Sequence, residues 1–557
     1  MAESYAVSLV LDAHFPFVRD PVPRPALPEG NFAGAEGNAE LIRRWQERYS
    51  GQNPADLCLS SAEEGLFFDA ISETYLPLLG MMDRLENDCV PFRLGLALSP
   101  LLAEMLEDEL LMRKYEAHLD QQIAFGIEEV GRLSAGNGDA TLAADYLDQA
   151  VERRAAFSVR YGRDIMKALA HYGRKERLDI LATSATGAFL PFLCRFPEAL
   201  QAQIEVGLSS CRNGFEISPQ GFWLPCLGWS GELEPFLKAN GFDFTVIDGG
   251  GFLAGRPAPS RGSFFPVRTE GGLLVLARDG HAADDIRAFR REGPYRDNGR
   301  DAGHELPAEL IAPFIARNGA RCQTGYKYWG AGRIPYMPER AKLAAAEHAR
   351  FFLENRRLRL AEAAARMNEQ PISLYAGSAD DFGLNWHEGT HFLESLFRLG
   401  RHYRELRFVS LPEYLCRQPI SSIEVSSPEF SSWGPGGFAE SWLDSPNDWL
   451  YRHLNRAAER MVELLLRFSG NSWVMERALN QAARELLVAQ SSDWAFMLRG
   501  NEHAAFARQK VETALGNFTA IYRSMLAGRI SAAQLTELEQ NCGVFADINY
   551  RVFKWNH

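Results

Sequence analysis

The feature that most constrains this chain is the alternation of short β-like runs with long helical gaps over its first three quarters. The runs are AVSLVLD (6–12), FRLGLALS (92–99), LDILATS (178–184), GFWLP (221–225), FTVID (244–248), LLVLAR (273–278) and ISLYA (372–376). Strands separated by helical segments specify βα units around a parallel sheet, and about seven of them over this length favour a closed barrel over an open sheet. A further candidate, LRFVSL (406–411), leaves the count open by one. The expected fold class is therefore α/β, a seven-stranded (β/α) barrel with helical insertions and a C-terminal α-helical bundle.

The gaps between strands are unequal. Helical periodicity continues from Leu101 to about Tyr172, far beyond a single crossover helix, so an inserted helical subdomain is expected at about 101–175. Pro and Gly cluster in PVPRPALPEGNFAGAEGN (21–38), which reads as a loop within an insertion at about 19–62. A Ser, Pro and Gly-rich stretch follows Gln418, and the chain beyond Trp442 is helical to about Glu539. These divisions predict a barrel over 1–430 and a helical domain over 431–557.

Composition narrows the functional classes. The 557 residues carry a formal charge of −13, so no broad basic field exists to neutralise a nucleic-acid backbone. Eight cysteines are scattered without a CxxC pair, which argues against a zinc ribbon or a disulfide scaffold and suits a reducing cytoplasm. No stretch reaches the ~20 apolar residues of a membrane span. The N-terminal run lacks a basic leader and alternates as a strand. The 35 Phe and 11 Trp offer faces on which sugar rings stack, although most aromatic side chains fill cores.

In a βα barrel the residues at the C-terminal strand ends form the mouth of the site. Those ends carry Asp12 and His14, Ser99 with Glu104, Thr183 and Ser184, Cys226, Asp248, Arg278 with Asp279, and Ser378 with Asp380 and Asp381. The set is polar and suits a carbohydrate cleft better than an apolar cofactor pocket.

Three generic motifs compete with that reading. His387-Glu388-Gly389-Thr390-His391 fits H-E-x-x-H and would make a zinc hydrolase, with His387 and His391 as ligands and Glu388 as base. Gly389 inside the motif and Asn385-Trp386 before it read instead as the start of a helix with exposed histidines. Gly249-Gly250-Gly251 lacks the G-x-G-x-x-G spacing and reads as a loop. Cys226 at a strand end is a candidate nucleophile or an inert buried thiol.

Several long segments together resemble glycoside hydrolase family 57, in its group of α-glucan branching enzymes and α-amylase-like proteins. LVLDAHFPFVRDP (9–21) resembles the family's opening His-x-His strand, and LALSPLLAEML (96–106) its second motif. QGFWLPCLGW (220–229) resembles the nucleophile segment and SADDFGLNWHEGTHFLE (378–394) the acid/base segment. In the tail, SSWGPGGFAESWLDSPNDWLYRHLNRAAERMVEL (431–464) and ALNQAARELLVAQSSDWAFML (478–498) are the closest stretches. The resemblance implies a seven-stranded barrel whose C-terminal helical domain closes over a glucan cleft, and a retaining mechanism with two carboxyl groups. It also implies an α-glucan of the amylose or glycogen kind as ligand, a glycogen-metabolism enzyme as candidate protein partner, and no cofactor, metal, nucleic acid or membrane.

The chain departs from the family where the chemistry sits. Trp223-Leu224-Pro225-Cys226 stands where the family has Trp-Leu-Pro-Glu, so the nucleophile position holds a thiol. Ser378-Ala379-Asp380-Asp381-Phe382-Gly383 stands where it has Asp-x-Glu-Leu-Phe-Gly, so the acid/base position falls on Ser378. Asp12 replaces the first histidine of the opening pair while His14 is retained, and the stretch after Arg278 is shortened and lacks the family's tryptophan. Arg278, Trp433, Trp442 and Asp493 match positions that contact sugar, or else pack the bundle on the barrel. The expected protein is a glucan-binding family member with impaired catalysis. The alternative is an active branching enzyme or α-amylase in which Asp380 or Asp381 serves as acid and Cys226, Asp12 or Glu232 as nucleophile.

Overall fold

A computed structural model describes residues 4–20, 57–133, 138–468 and 472–555. The Pro/Gly-rich loop at 21–38, and most of the insertion around it, lie outside the described residues.

The apolar runs form eight strands around the site: β1 (Tyr5–Ala13), β2 (Leu94–Leu98), β3 (Leu178–Leu181), β4 (Gly221–Trp223), β5 (Phe244–Ile247), β6 (Leu274–Ala277), β7 (Ile372–Ser378) and β8 (Leu406–Phe408). β7, β1, β2 and β3 pair in parallel, as do β4, β5 and β6. Two joints turn these sheets into one ring. Ala182 bridges Phe222 between β3 and β4, and the Asp279 N–H donates to the Leu374 carbonyl at 2.8 Å between β6 and β7. The barrel therefore has seven strands. The additional run at 406–411 supplies β8, which pairs with β1 only at Tyr5 to Val7, ahead of the point where β2 joins at Val10.

The period of two in each strand sorts side chains between barrel interior and helical shell. Ala6, Val10, Ala97, Leu181, Trp223, Phe244, Val246, Leu276, Leu374 and Ala376 share one buried cluster inside the ring. Leu9 and Leu11 point the other way into the larger cluster beneath the helices. Filled layers of this kind make the barrel a packed core, and each fully buried aliphatic side chain contributes roughly 1.5–3 kcal/mol. The functional consequence lies at the top of the ring. Continuing the inward positions past Val10, Ala97, Leu276 and Ala376 gives Asp12, Ser99, Arg278 and Ser378.

The helical insertion comprises Pro100–Glu107, Glu109–Leu133, Gly138–Ala155 and Ile165–Arg174. After β8 come helices Asp448–Arg467, Trp473–Ala489, Ser492–Gly500, Ala504–Leu526 and Ala532–Asn541. Trp473–Ala489 is the innermost of them, with Leu479, Ala482, Ala483, Leu486 and Leu487 fully buried. This group docks on the barrel mouth through polar contacts. The Thr186 hydroxyl donates to the Leu487 carbonyl at 2.8 Å, and the Ser492 hydroxyl to the Gly187 carbonyl at 2.6 Å.

One local reading is corrected. Gly249-Gly250-Gly251 is not a loop but opens a short helix, Gly249–Leu253. Asp248 caps it by accepting from the Gly250 N–H at 2.9 Å, which offsets the poor helix propensity of three glycines.

Candidate functional site

A cleft of about 970 Å³ opens where the strand ends meet the C-terminal helices, a size suited to an oligosaccharide. Asp12, His14, Ser99, Thr183, Cys226, Arg278, Ser378 and Asp381 line it from the barrel, and Trp433, Trp442 and Asp493 from the following segments. Nine of the ten candidates at catalytic and substrate-binding positions thus converge on this cleft, and only Asp380 is absent from the lining.

Strand register places the first group. Asp12 is paired with Ser378 across β1 and β7, and with Ala97 across β1 and β2, so Asp12 and Ser378 are neighbours at the rim. Burial pushes the Asp12 carboxyl up to about 6, against the opposing pull of His14. The Trp223 indole also favours the anion from nearby, although its Nε1 has no acceptor in hydrogen-bond geometry.

His14 ties barrel to bundle. Its Nδ1 lies 2.8 Å from Ser99 Oγ and its Nε2 2.7 Å from Asp493 Oδ2. Burial alone would lower its pKa, but the Asp493 and Asp12 carboxylates outweigh burial and hold it above the ordinary histidine value. Ser99 also caps helix Pro100–Glu107, and the Ser491 hydroxyl donates to Asp493 Oδ2 at 2.5 Å, so both partners of His14 are fixed. Gly187, with φ +66, passes against the imidazole face, where a β-carbon would lie 2.6 Å from the ring.

Cys226 follows β4 in a left-handed backbone conformation, φ 58. Its Sγ is 3.8 Å from Ser492 Oγ, and burial raises the thiol well above its ordinary pKa, so the neutral thiol prevails. Ser378 ends β7 and caps the following turn by accepting from the Asp380 N–H at 3.2 Å. Neither group is an acid or base near neutral pH.

The two aspartates after Ser378 diverge. Asp381 faces the cleft and accepts from Arg290 Nη1 at 2.6 Å. Asp380 turns away and accepts from the Thr74 hydroxyl at 3.0 Å, with burial pushing its carboxyl up to about 7. Thr74 belongs to a π-helical turn, Ile71–Tyr75, whose Glu73 also reaches inward.

The aromatic wall is built by packing. Trp442 stacks on Phe189 with ring centroids 5.1 Å apart and planes at 6°, and the Tyr451 hydroxyl donates to its carbonyl. The Trp433 N–H donates to the Cys226 carbonyl at 2.8 Å, so this ring is positioned from the β4 end. Gly434 adopts φ +95, which turns the rim loop back on itself.

Other mouth candidates serve the scaffold. Glu104 is absent from the lining, and burial pushes its carboxyl up to about 7. Asp248 pairs with Arg278 Nη2 at 2.6 Å. Asp279 caps helix Gly280–Glu292 and accepts from Arg356 and Ser373. Ser184 is fully buried. Strand-end reading missed Arg287, Arg290, Arg291 and Phe496, all of which line the cleft from helices. Helical periodicity groups the three arginines on one face, but not which face the barrel sees.

The H-E-x-x-H residues are not arranged as a zinc site. The helix begins only at Gly389, so His387 precedes it and the two histidines do not share a helical face. His387 Nδ1 lies 2.6 Å from Glu73 Oε2, and Glu388 accepts from the Tyr336 hydroxyl at 2.7 Å. Both histidines are half-buried, not exposed as the sequence suggested. Among the described residues no group of three or more His, Cys, Asp or Glu is placed to hold a metal ion. Gly389 is explained by packing, since a β-carbon there would meet the Phe382 backbone at 2.4 Å. No helix among the described residues is long and apolar enough to cross a membrane.

Comparison with known proteins agrees with this architecture. Residues 8–315 match the family described as Glycosyl hydrolase family 57, and residues 453–553 match that described as 1,4-alpha-glucan branching enzyme, C-terminal. A 1,4-alpha-glucan branching enzyme of Thermococcus kodakarensis is 25% identical over 515 residues, covering 86% of this chain and 74% of that protein. The solved structure of the alpha-amylase AmyC from Thermotoga maritima is 28% identical, with a TM-score of 0.84 and 100% of both chains covered. A branching enzyme from Pyrococcus horikoshii, 21% identical with a TM-score of 0.83, covers 100% of this chain and 97% of its own and shares the fold. The paired family matches, which span more than half of the chain, and the shared barrel and bundle place this protein in glycosyl hydrolase family 57, as a branching-enzyme-like member.

Proposed function

We propose that this protein binds α-glucan of the starch or glycogen type in the barrel cleft, in the cytoplasm, and has little or no capacity to cleave or branch it. Residues 1–430 act as the barrel and 431–557 as the helical domain that closes the cleft. The observation that carries the reading is the chemistry of two strand ends, where Cys226 and Ser378 face the cleft. A retaining double displacement needs two carboxyl groups roughly 5–5.5 Å apart, one as nucleophile and one as acid. A serine hydroxyl donates no proton near neutral pH, and a thiol held neutral by burial does not attack. The retained aromatic wall and the His14 to Asp493 link support binding without turnover. Incubation with amylose, followed by assays for new branch points and reducing ends, is expected to give neither. Ordinary turnover would overturn the reading.

A second reading, an active enzyme with displaced carboxyl groups, draws on Asp12, which lines the cleft with its carboxyl near 6, within range for proton transfer. Its weakness is the partner. Asp381 is bound to Arg290, Asp380 faces Thr74, and Glu232 is exposed outside the lining. Turnover abolished by Asp12→Asn would favour this second reading.

A further inference from the structure

Helix Gly280–Glu292 presents a charged face to the cleft that recognition of a neutral sugar does not require. Ala283, Ile286, Arg287, Arg290 and Arg291 line the cavity at helical spacing, and Arg278 joins them from the end of β6. The buried wall residue Tyr375 lines the same cavity and feels the charge of Arg278, Arg290 and Arg287 together. Four arginines thus face three cleft carboxyl groups, those of Asp12, Asp381 and Asp493, in a chain whose formal charge is −13.

The arginines are unequally occupied. Arg278 Nη2 holds Asp248, but its Nε is buried with no acceptor. Arg290 uses Nη1 on Asp381 at 2.6 Å. Arg287 meets Asp284 at 2.8 Å in an exposed pair with side chains 53% and 66% exposed, and such pairs are worth little. Arg291 is exposed, and among the described residues it makes no hydrogen bond or ion pair. A planar guanidinium with free donors matches the oxygens of a phosphate better than a sugar hydroxyl. Such a cluster inside a walled cleft acts locally even though the molecule as a whole is acidic.

We propose that the arginine face of helix Gly280–Glu292 binds a phosphate monoester carried by the α-glucan, so that the preferred ligand is a phosphorylated glucan. This rests on the glucan-binding reading above. The ester could sit on the 6-hydroxyl of a glucose within the chain or on the reducing-end anomeric oxygen, and the chemistry recognised is the same.

Titration calorimetry at low salt with maltoheptaose, maltoheptaose 6-phosphate and maltoheptaosyl 1-phosphate tests the proposal. Wild-type protein is expected to bind one phosphorylated form at least ~10-fold more tightly than maltoheptaose, and whichever form it prefers identifies the ester. The preference should shrink as salt rises. In the double variant Arg287→Ala, Arg291→Ala the ratio should fall towards one, while the pair Arg287→Lys, Arg291→Lys should keep part of it. Equal wild-type affinities for neutral and phosphorylated ligands overturn the proposal yet leave glucan binding intact, as does a preference that survives the double alanine change. Absence of binding to all three ligands overturns both readings.

Discussion

His14 and Asp493, 479 positions apart in the chain, meet through a 2.7 Å contact between imidazole and carboxylate that joins the first barrel strand's end to a helix of the C-terminal group. The link is polar, half-enclosed and at the floor of the cleft, with the two side chains 17% and 18% exposed. Barrel and bundle are therefore coupled at the point where ligand would sit. The Ser492 and Thr186 hydroxyls add two further hydrogen bonds to the junction.

Replacing Asp493 with Ala should destabilise the protein by about 1–3 kcal/mol, because an imidazolium is left without its acceptor. The sign of the pH dependence follows from the raised His14 pKa. Its contribution is fully present below the unfolded value of about 6.5 and is lost as pH rises through the higher folded value. Melting temperatures of wild type and variant should differ most at mildly acidic pH and converge in alkali. A gap that stays constant across that window would show that His14 does not titrate as argued.

The two tryptophans should separate binding from stability. Trp433 is half-buried and held by its backbone, so Trp433→Ala should weaken retention on an amylose gel with little change in melting. Trp442 is buried and stacked on Phe189, so Trp442→Ala should weaken retention and also cost roughly 3–5 kcal/mol as a core aromatic truncation. Full retention by the Trp433 variant would remove that ring from the binding wall.

What the sequence made legible follows from strand periodicity. Because β1 alternates, Asp12 and His14 had to rise on the inward side above Ala6 and Val10, and the same count brought Ser99, Arg278 and Ser378 to the mouth. Helical and loop residues escaped the same logic. Asp380 and Asp381 are adjacent, and only the Thr74 hydroxyl and Arg290 decide which carboxylate turns from the cleft and which faces it. Local propensity also lost to capping at Gly249–Leu253, where one Asp248 side chain stabilises a helix that three glycines disfavour. Glu73, which meets His387, and Phe189, which stacks on Trp442, are each more than two hundred residues distant, and no local pattern announces them.

Asp12 offers a pH test of the cleft's interior. Its folded carboxyl is raised from an ordinary 3.8 to about 6, so the native state holds the proton more tightly and loses stability as pH climbs between those values. Asp12→Asn should abolish that loss, making the variant more stable than wild type above about pH 6 by on the order of 1–3 kcal/mol, and equal to it near pH 4. Chemical denaturation at both pH values checks the difference. A variant less stable than wild type at pH 8 would mean that attraction to His14 outweighs the burial of the Asp12 anion.

Restoring both candidate catalytic groups is the sharpest test of the functional reading. Ser378→Asp should be structurally benign, because an aspartate caps a turn as well as serine does and can still accept from the Asp380 N–H. Cys226→Glu is more demanding, since the residue is buried at φ 58 beside Ser492, but the cleft above it leaves room for a longer side chain to extend towards the sugar. A nucleophile without a proton donor, or a donor without a nucleophile, completes neither half of the double displacement. Each single variant should therefore remain as silent as wild type on amylose, while the double variant gains measurable branching or hydrolysis. Thermal melts of all three variants separate failure of chemistry from failure of folding. Activity in either single variant would show that Asp12 or Asp381 already supplies the missing carboxyl group. A folded double variant that binds glucan yet stays silent would move the defect to Asp12 or to the shortened stretch after Arg278, where Arg278 itself is drawn aside by Asp248.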